Sequence, residues 1–248
     1  MDLSTKIELE KIISSFKQLP YLFVGTGLSI RYSTAPSWDE LLMDIWLKIN
    51  GGDANKYKKF VNKLLYELDL DKNILDDEIK YYLNPQLATV IQKQFNDKYF
   101  KDDSFENIVF TSDEVLLILN NNHDPFKFYI AKQTKDLKIA DEKTKNECKE
   151  IEYLMKNQNK IAGLITTNYD LLLESMFPDF DVLVGQDNML TANTNNIFEI
   201  FKIHGSADKA DSIVITQGDY DYFEKKIKIS VRKIVNIICG TSYNFYWL

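Results

Sequence analysis

Four stretches of this sequence carry glycine and small polar residues at the end of an apolar run: Gly25-Thr26-Gly27-Leu28-Ser29, Thr166-Thr167-Asn168-Tyr169-Asp170, His204-Gly205 and Gly240-Thr241-Ser242. Two glycines spaced G-x-G let backbone amides approach a pyrophosphate, and a loop that opens a helix favours negative charge. The same residues also make an ordinary strand-to-helix turn, and Ile30 stands where the usual dinucleotide fingerprint has its third glycine. Asn168 and Asp170 lie two apart, so an extended loop points both side chains into one crevice. On spacing alone a helix N-cap is the plainer reading of this pair, and one residue can do both jobs. His204 follows the apolar run IFKIHG, and imidazole takes a proton near neutral pH, as a general base must. A structural histidine is the plainer reading of that pair taken alone. His123, in the loop-like NNHDPF, reads as a surface residue. Thr241 and Ser242 offer hydroxyls to phosphate or ribose, or simply make a turn.

These residues need elements to position them. LFVG (Leu22–Gly25), AGLIT (Ala162–Thr166), DVLVG (Asp181–Gly185), IFKIHG (Ile200–Gly205), SIVIT (Ser212–Thr216) and VNIICG (Val235–Gly240) are short, apolar and rich in β-branched residues. Strands buried on both faces, with polar residues just past their carboxyl ends, predict an α/β fold with a doubly wound, mostly parallel Rossmann-like sheet. Tyr169–Met176 and Tyr220–Val235 read as helical crossovers. A helix over about Thr5–Leu19 is signalled by a Thr5/Glu8 capping box. Another follows Ser37 and Glu40, with Leu41, Leu42, Ile45 and Trp46 as its apolar stripe. The lysine-, asparagine- and tyrosine-rich stretch from Gly51 to about Asn159 reads as a mostly helical insertion, with one helix start at Thr111-Ser-Asp-Glu114. The expected organisation is one domain over 1–248, its core about 1–50 and 160–248 and its insertion about 51–159.

Bulk properties narrow the function. A net charge of −7 argues against binding nucleic acid through a general basic surface. No apolar run has the length of a membrane span, and MDLSTKIELEKII lacks the layout of a signal peptide. Two cysteines, Cys148 and Cys239, rule out a four-cysteine zinc site and fit a reducing cytoplasm. The aromatic end GTSYNFYWL reads as either packed onto the domain or continued by further chain, for which a sensor, helicase-like or repeat region is expected.

Taken in order, GTGLS, TTNYD, IHG and GTS resemble the sirtuin (silent information regulator) type of NAD-binding fold, which carries a GAG-x-S loop, a QN-x-D loop, a His-Gly and a late GTS. The sequence is more similar still to the sirtuin-like domains of bacterial antiphage defence systems. Those show G-x-G-x-S followed by PSW, then TTNYD, then a lysine two residues before His-Gly, then an I-V-x-T run and DY. Here these are Ala35–Trp38, TTNYD, Lys202–Gly205, Ile213–Thr216 and Asp219–Phe223. Departures from protein deacylases are the missing zinc cysteines, SIVITQGDYDYF in place of the strand that pairs with acyl-lysine peptide, and Thr167 where deacylases have Gln.

The resemblance implies a hydrolase that takes NAD as substrate, needs no metal, and cleaves the nicotinamide–ribose bond. It places the pyrophosphate near Gly25, Thr26, Gly27 and Ser29, with Gly240, Thr241 and Ser242 on the phosphate or ribose side. Asn168 is expected to orient the ribose or the attacking water. His204 is expected to contact ribose hydroxyls or act as general base, and Asp170 to bind the carboxamide or steady its loop. It also implies a homo-oligomer and a sensor region or partner protein. The alternatives are an NAD-dependent protein deacylase and a non-catalytic module that binds NAD or ADP-ribose.

Overall fold

The computed structural model describes residues 19–69, 76–137, 148–185 and 198–225. The expected helix over residues 5–18, the run VNIICG, the Gly240-Thr241-Ser242 motif and the part of the last crossover beyond 225 lie outside these residues.

Among the described residues, four strands form one sheet: β1 (Tyr21–Val24), β2 (Gly163–Thr166), β3 (Asp181–Val184) and β4 (Glu199–Lys202), in the order β1-β2-β4-β3 and parallel throughout. The fold is α/β with a Rossmann-like parallel sheet, as the apolar runs predict. The strands end flush. Val24 lies beside Thr166, Thr166 beside Lys202, and Lys202 beside Val184. Because all four run the same way, the loops that follow them leave from one edge.

Period-two alternation divides the sheet's side chains between two faces. Val24, Leu164 and Ile200 pack with Tyr32, Leu172, Leu173, Met176 and Phe177. Tyr21, Ile165 and Phe201 form a smaller cluster on the other face. The first face is covered by α1 (Thr26–Tyr32) and α9 (Leu172–Met176), which supply Tyr32 and Leu172 to Met176.

Between α1 and β2 the described chain is helical: α2 (Trp38–Asn50), α3 (Ala54–Glu67), α4 (Asp76–Tyr99), α5 (Asp103–Val109), α6 (Ser112–Asn121), α7 (Pro125–Lys135) and α8 (Cys148–Lys156). The local signals work as expected. The Ser37 amide donates to Glu40 Oε2 at 2.8 Å, the Glu40 amide donates to Ser37 Oγ at 3.3 Å, and Leu41, Leu42, Ile45 and Trp46 are buried. Thr111 and Glu114 cap α6 in the same way. Phe95 anchors the helical core with ring contacts to Phe105, Phe126 and Tyr129.

Three expectations need correction. SIVIT is not a strand: Ala210–Ser212 is a 3-10 turn, Ile213 is extended, and 213–215 has no regular structure and joins no sheet among the described residues. The amides of this run find other acceptors. Ile213 donates to Ala210 O, Val214 to His204 O at 2.9 Å, and both Ile215 and Thr216 to Asp219 Oδ2. The helix expected over Tyr169–Met176 begins only at Leu172. Upstream of it the Asn168 amide donates to Thr166 Oγ1 and the Leu172 amide to Asp170 Oδ1, which hold the loop out of helical geometry. The last crossover is helical over 217–225, three residues earlier than expected, because Thr216 and Asp219 bond across its first turn. No helix among the described residues is long and apolar enough to cross a membrane.

Candidate functional site

The flush strand ends bring three of the four expected loops together. Ser29 Oγ donates to Asp170 Oδ2 at 2.7 Å, and Asn168 Nδ2 donates to Ser29 Oγ and to Gly25 O, both at 3.0 Å. Spacing had put Asn168 and Asp170 on one side of an extended loop, and both face the glycine loop. Tyr169, between them, turns the other way and donates its hydroxyl to Val214 O at 2.7 Å, against the helical core.

Asn168 is the centre of this arrangement. A carbonyl can only accept, so the atom facing Gly25 O must be the amide nitrogen, which fixes the opposite atom as Oδ1. That oxygen is buried and has no hydrogen-bond partner among the described residues, in a residue only 3% exposed. Buried polar atoms are nearly always paired, so an unpaired acceptor at a loop junction marks a place for a donor such as water or a sugar hydroxyl. Asp170, by contrast, is fully engaged: one oxygen accepts from Ser29 and the other from the Leu172 amide. Carboxamide binding by Asp170 is therefore less well supported than steadying of the loop.

Gly25 and Gly27 have open space where a Cβ would stand, and Gly25 has an extended backbone that any residue adopts. Neither glycine is required by packing. Thr26 and Gly27 are exposed. They open α1, where first-turn amides have no intrahelical acceptor.

His204 lies two residues past Lys202, at the same edge. Its ring meets Tyr220 and Phe223 edge-on, at 5.5 and 5.0 Å between centroids. Burial among these rings pushes its pKa down to about 4, so the imidazole is neutral at neutral pH. Tyr220 stacks in turn on Trp38 of the PSW stretch, at 6.2 Å. The two outlying motifs thus meet in one aromatic wall beside the histidine. A cavity of about 270 Å³ lies on the far side of Phe223, lined by Val184, Gly185, Ile203, Val214 and Tyr222 among others, and neither His204 nor the Gly25 and Asn168 loops line it. Gly205 is required by the fold: its φ is +94°, and a Cβ would stand 2.2 Å from Ser212 O. His123 is more than a surface residue, since its Nδ1 lies 2.5 Å from Asp211 Oδ2.

Sequence reasoning gave no role to Lys202 or Glu174. Their Nζ–Oε1 contact is 2.6 Å, and the lysine side chain is wholly buried. The only sequence signal was the lysine two residues before His-Gly. Among the described residues, no three or more His, Cys, Asp or Glu side chains gather closely enough to hold a metal ion.

Residues 162–244 match the family model described as SIR2-like domain. No curated protein sequence matches the chain. The stretch that supplies β2, β4, Asn168, Asp170 and His204 is thus similar to a SIR2-like domain, the sirtuin type, a family whose activities use NAD.

Proposed function

We propose that the protein is an NAD glycohydrolase that converts NAD and water to ADP-ribose, nicotinamide and a proton. The observation that carries this reading is the buried, unpaired Asn168 Oδ1 beside the open glycine loop. An acceptor held there by Gly25 and Ser29 suits a water or ribose hydroxyl, and the space over Gly25 and Gly27 suits a pyrophosphate. Thr241 and Ser242 would complete the phosphate or ribose side.

In the reaction, the bond between the ribose C1′ and the pyridinium nitrogen breaks, and its electron pair leaves with neutral nicotinamide. Positive charge develops on the sugar, and the acceptor of Asn168 stabilises it or aligns the water. Water then bonds to C1′. A water molecule added to an oxocarbenium centre is strongly acidic, so even an imidazole weakened by burial takes its proton. His204, neutral at working pH, fills that part and releases the proton to solvent.

The deacylase alternative needs a free backbone edge to pair with a peptide. In 213–216 every amide donates within the chain, and Val214 O accepts from Tyr169. That arrangement favours water over an acyl-lysine substrate.

By resemblance, we place this activity in the cytoplasm of a bacterium, in one homo-oligomeric domain that removes NAD during phage infection under the control of a sensor region or partner. The test is NAD consumption followed across protein concentration, beside Asn168→Ala and His204→Ala. Turnover in the wild type and its loss in both folded variants supports the reading. Full turnover in both variants, or acyl transfer that appears only with acylated peptide, overturns it. Tight NAD binding without turnover at any concentration points to the non-catalytic module. In cells, a fall in NAD on phage challenge that the His204 variant does not show tests the defence role.

A further inference from the structure

We infer that Lys202 is the positioning residue that holds Asn168 and His204 in register, an inference that rests on the NAD reading of the same site. The ammonium has three donors. They reach Glu174 Oε1 at 2.6 Å, Tyr169 O at 3.2 Å and, at shorter range, Asp170 O. All three partners belong to the loop and helix that follow β2, while the lysine itself belongs to β4. Its side chain is wholly buried, so nothing in solvent substitutes for these contacts.

The loop of Asn168 is thus held from two sides. Ser29 and Gly25 hold its side chains from the glycine loop, and Lys202 holds its main chain from the neighbouring strand. Two residues beyond Lys202 the same strand delivers His204. Together with the pairing of Thr166 and Lys202, this side chain thus ties the asparagine's loop to the strand end that carries the histidine. The Ile203 amide, which donates to Thr166 O at 2.9 Å, fixes the strand against β2 between these two points.

Glu174 supplies the counter-charge. Burial raises its pKa, against the pull of the lysine, and its second oxygen is buried without a partner. A buried pair of this kind adds little net stability compared with apolar residues of the same volume, whereas breaking it by removing one partner is costly. Its retention beside the site is better explained by placement of the loop than by stability.

The test separates stability from placement. Lys202→Met strands the Glu174 carboxylate, so its melting temperature should fall. Adding Glu174→Gln removes the stranded charge and should restore most of that loss. If Lys202 only stabilises the fold, the double variant regains turnover with its melting temperature. If it positions the loop, kcat stays about 100-fold down, the cost of a misplacement of about 1 Å, while the KM for NAD changes little. Amide hydrogen exchange without NAD gives a readout independent of catalysis. Residues 167–172 should exchange faster in the double variant, and β1 and β2 should not. Wild-type kcat or unchanged exchange at 167–172 in the double variant overturns the inference. A wild-type protein that consumes no NAD counts against the proposed reaction, and the exchange result then decides the role of Lys202.

Discussion

The hydroxyl of Ser29 donates to Asp170 Oδ2 across 2.7 Å and accepts from Asn168 Nδ2, joining two loops that lie 141 residues apart in sequence. A serine in a glycine loop invites a role in phosphate binding. Here its oxygen already takes part in two protein hydrogen bonds, and the side chain is 2% exposed. Its first task is to build the junction that presents Asn168.

Ser29→Ala should therefore do more than weaken nucleotide binding. It leaves Asp170 Oδ2 without its donor and the Asn168 amide without one acceptor, at a cost of about 1–3 kcal/mol in urea unfolding. Loosening Asn168 should reduce NAD turnover about 10- to 100-fold. A variant with wild-type stability would show that the junction is held by other contacts.

At Asn168 the proposed role separates charge from shape. Asn168→Ala should lower kcat by at least about 100-fold, the scale of a lost transition-state contact. Asn168→Asp should be equally inactive although it keeps the volume, because a carboxylate has no donor for Gly25 O and would face it with an oxygen. Steady-state NAD assays on both variants, with circular dichroism to establish folding, check this. Retained activity in the aspartate variant would sink the assignment.

The depressed pKa of His204 predicts a pH window. The unfolded state binds the proton below about 6.5, whereas the native state binds it only near 4. Between those values the unfolded state holds more protons, so native stability rises with pH and falls on acidification. The full effect is on the order of 3 kcal/mol, complete below about pH 4. The stability difference between wild type and His204→Gln isolates this contribution and should shrink towards neutral pH. Turnover, needing the neutral ring, should persist to about pH 5; a kinetic midpoint near 6.5 would contradict the burial of the ring.

Two glycines should behave oppositely. Gly205→Ala forces a Cβ against Ser212 O at a positive φ and should destabilise by roughly 2–3 kcal/mol or more. Gly25→Ala meets open space at an extended backbone and should melt with the wild type. Its NAD affinity should nonetheless fall about tenfold, one added methyl group standing where the substrate must lie. Thermal melts paired with NAD titrations distinguish the two, and an unchanged affinity for Gly25→Ala would remove the glycine loop from the site.

What could be read from the sequence was local or periodic. The runs at Leu22, Gly163, Asp181 and Ile200 gave strands because β-branched residues fit a buried sheet. Ser37/Glu40 and Thr111/Glu114 gave helix starts because a capping box needs only three residues of chain. The spacing of Asn168 and Asp170 gave their common direction. It did not give what they face, since Gly25 and Ser29 arrive from far away in sequence. The run at 212–216 had a strand's composition, yet its amides are taken by Ala210, His204 and Asp219, an arrangement that depends on folding. Lys202 stood out only as the lysine before His-Gly and Glu174 as one of many charged residues, and only the packing of β4 against the loop and helix that follow β2 shows that they are paired and buried.

The flush ends of the four strands also bear on how such a chain tolerates descent with change. Inserting or deleting one residue within β1, β2 or β4 would turn the following loop to the opposite face of the sheet and scatter Gly25, Asn168 and His204. The helices from α3 to α8 are under a looser constraint, because a change of length there keeps the strand register, whereas α1 carries Ser29 and α2 carries Trp38 beside the site. Lineages carrying this site should therefore keep their strands, α1 and the start of α2 at fixed length while varying more in the helices from α3 to α8.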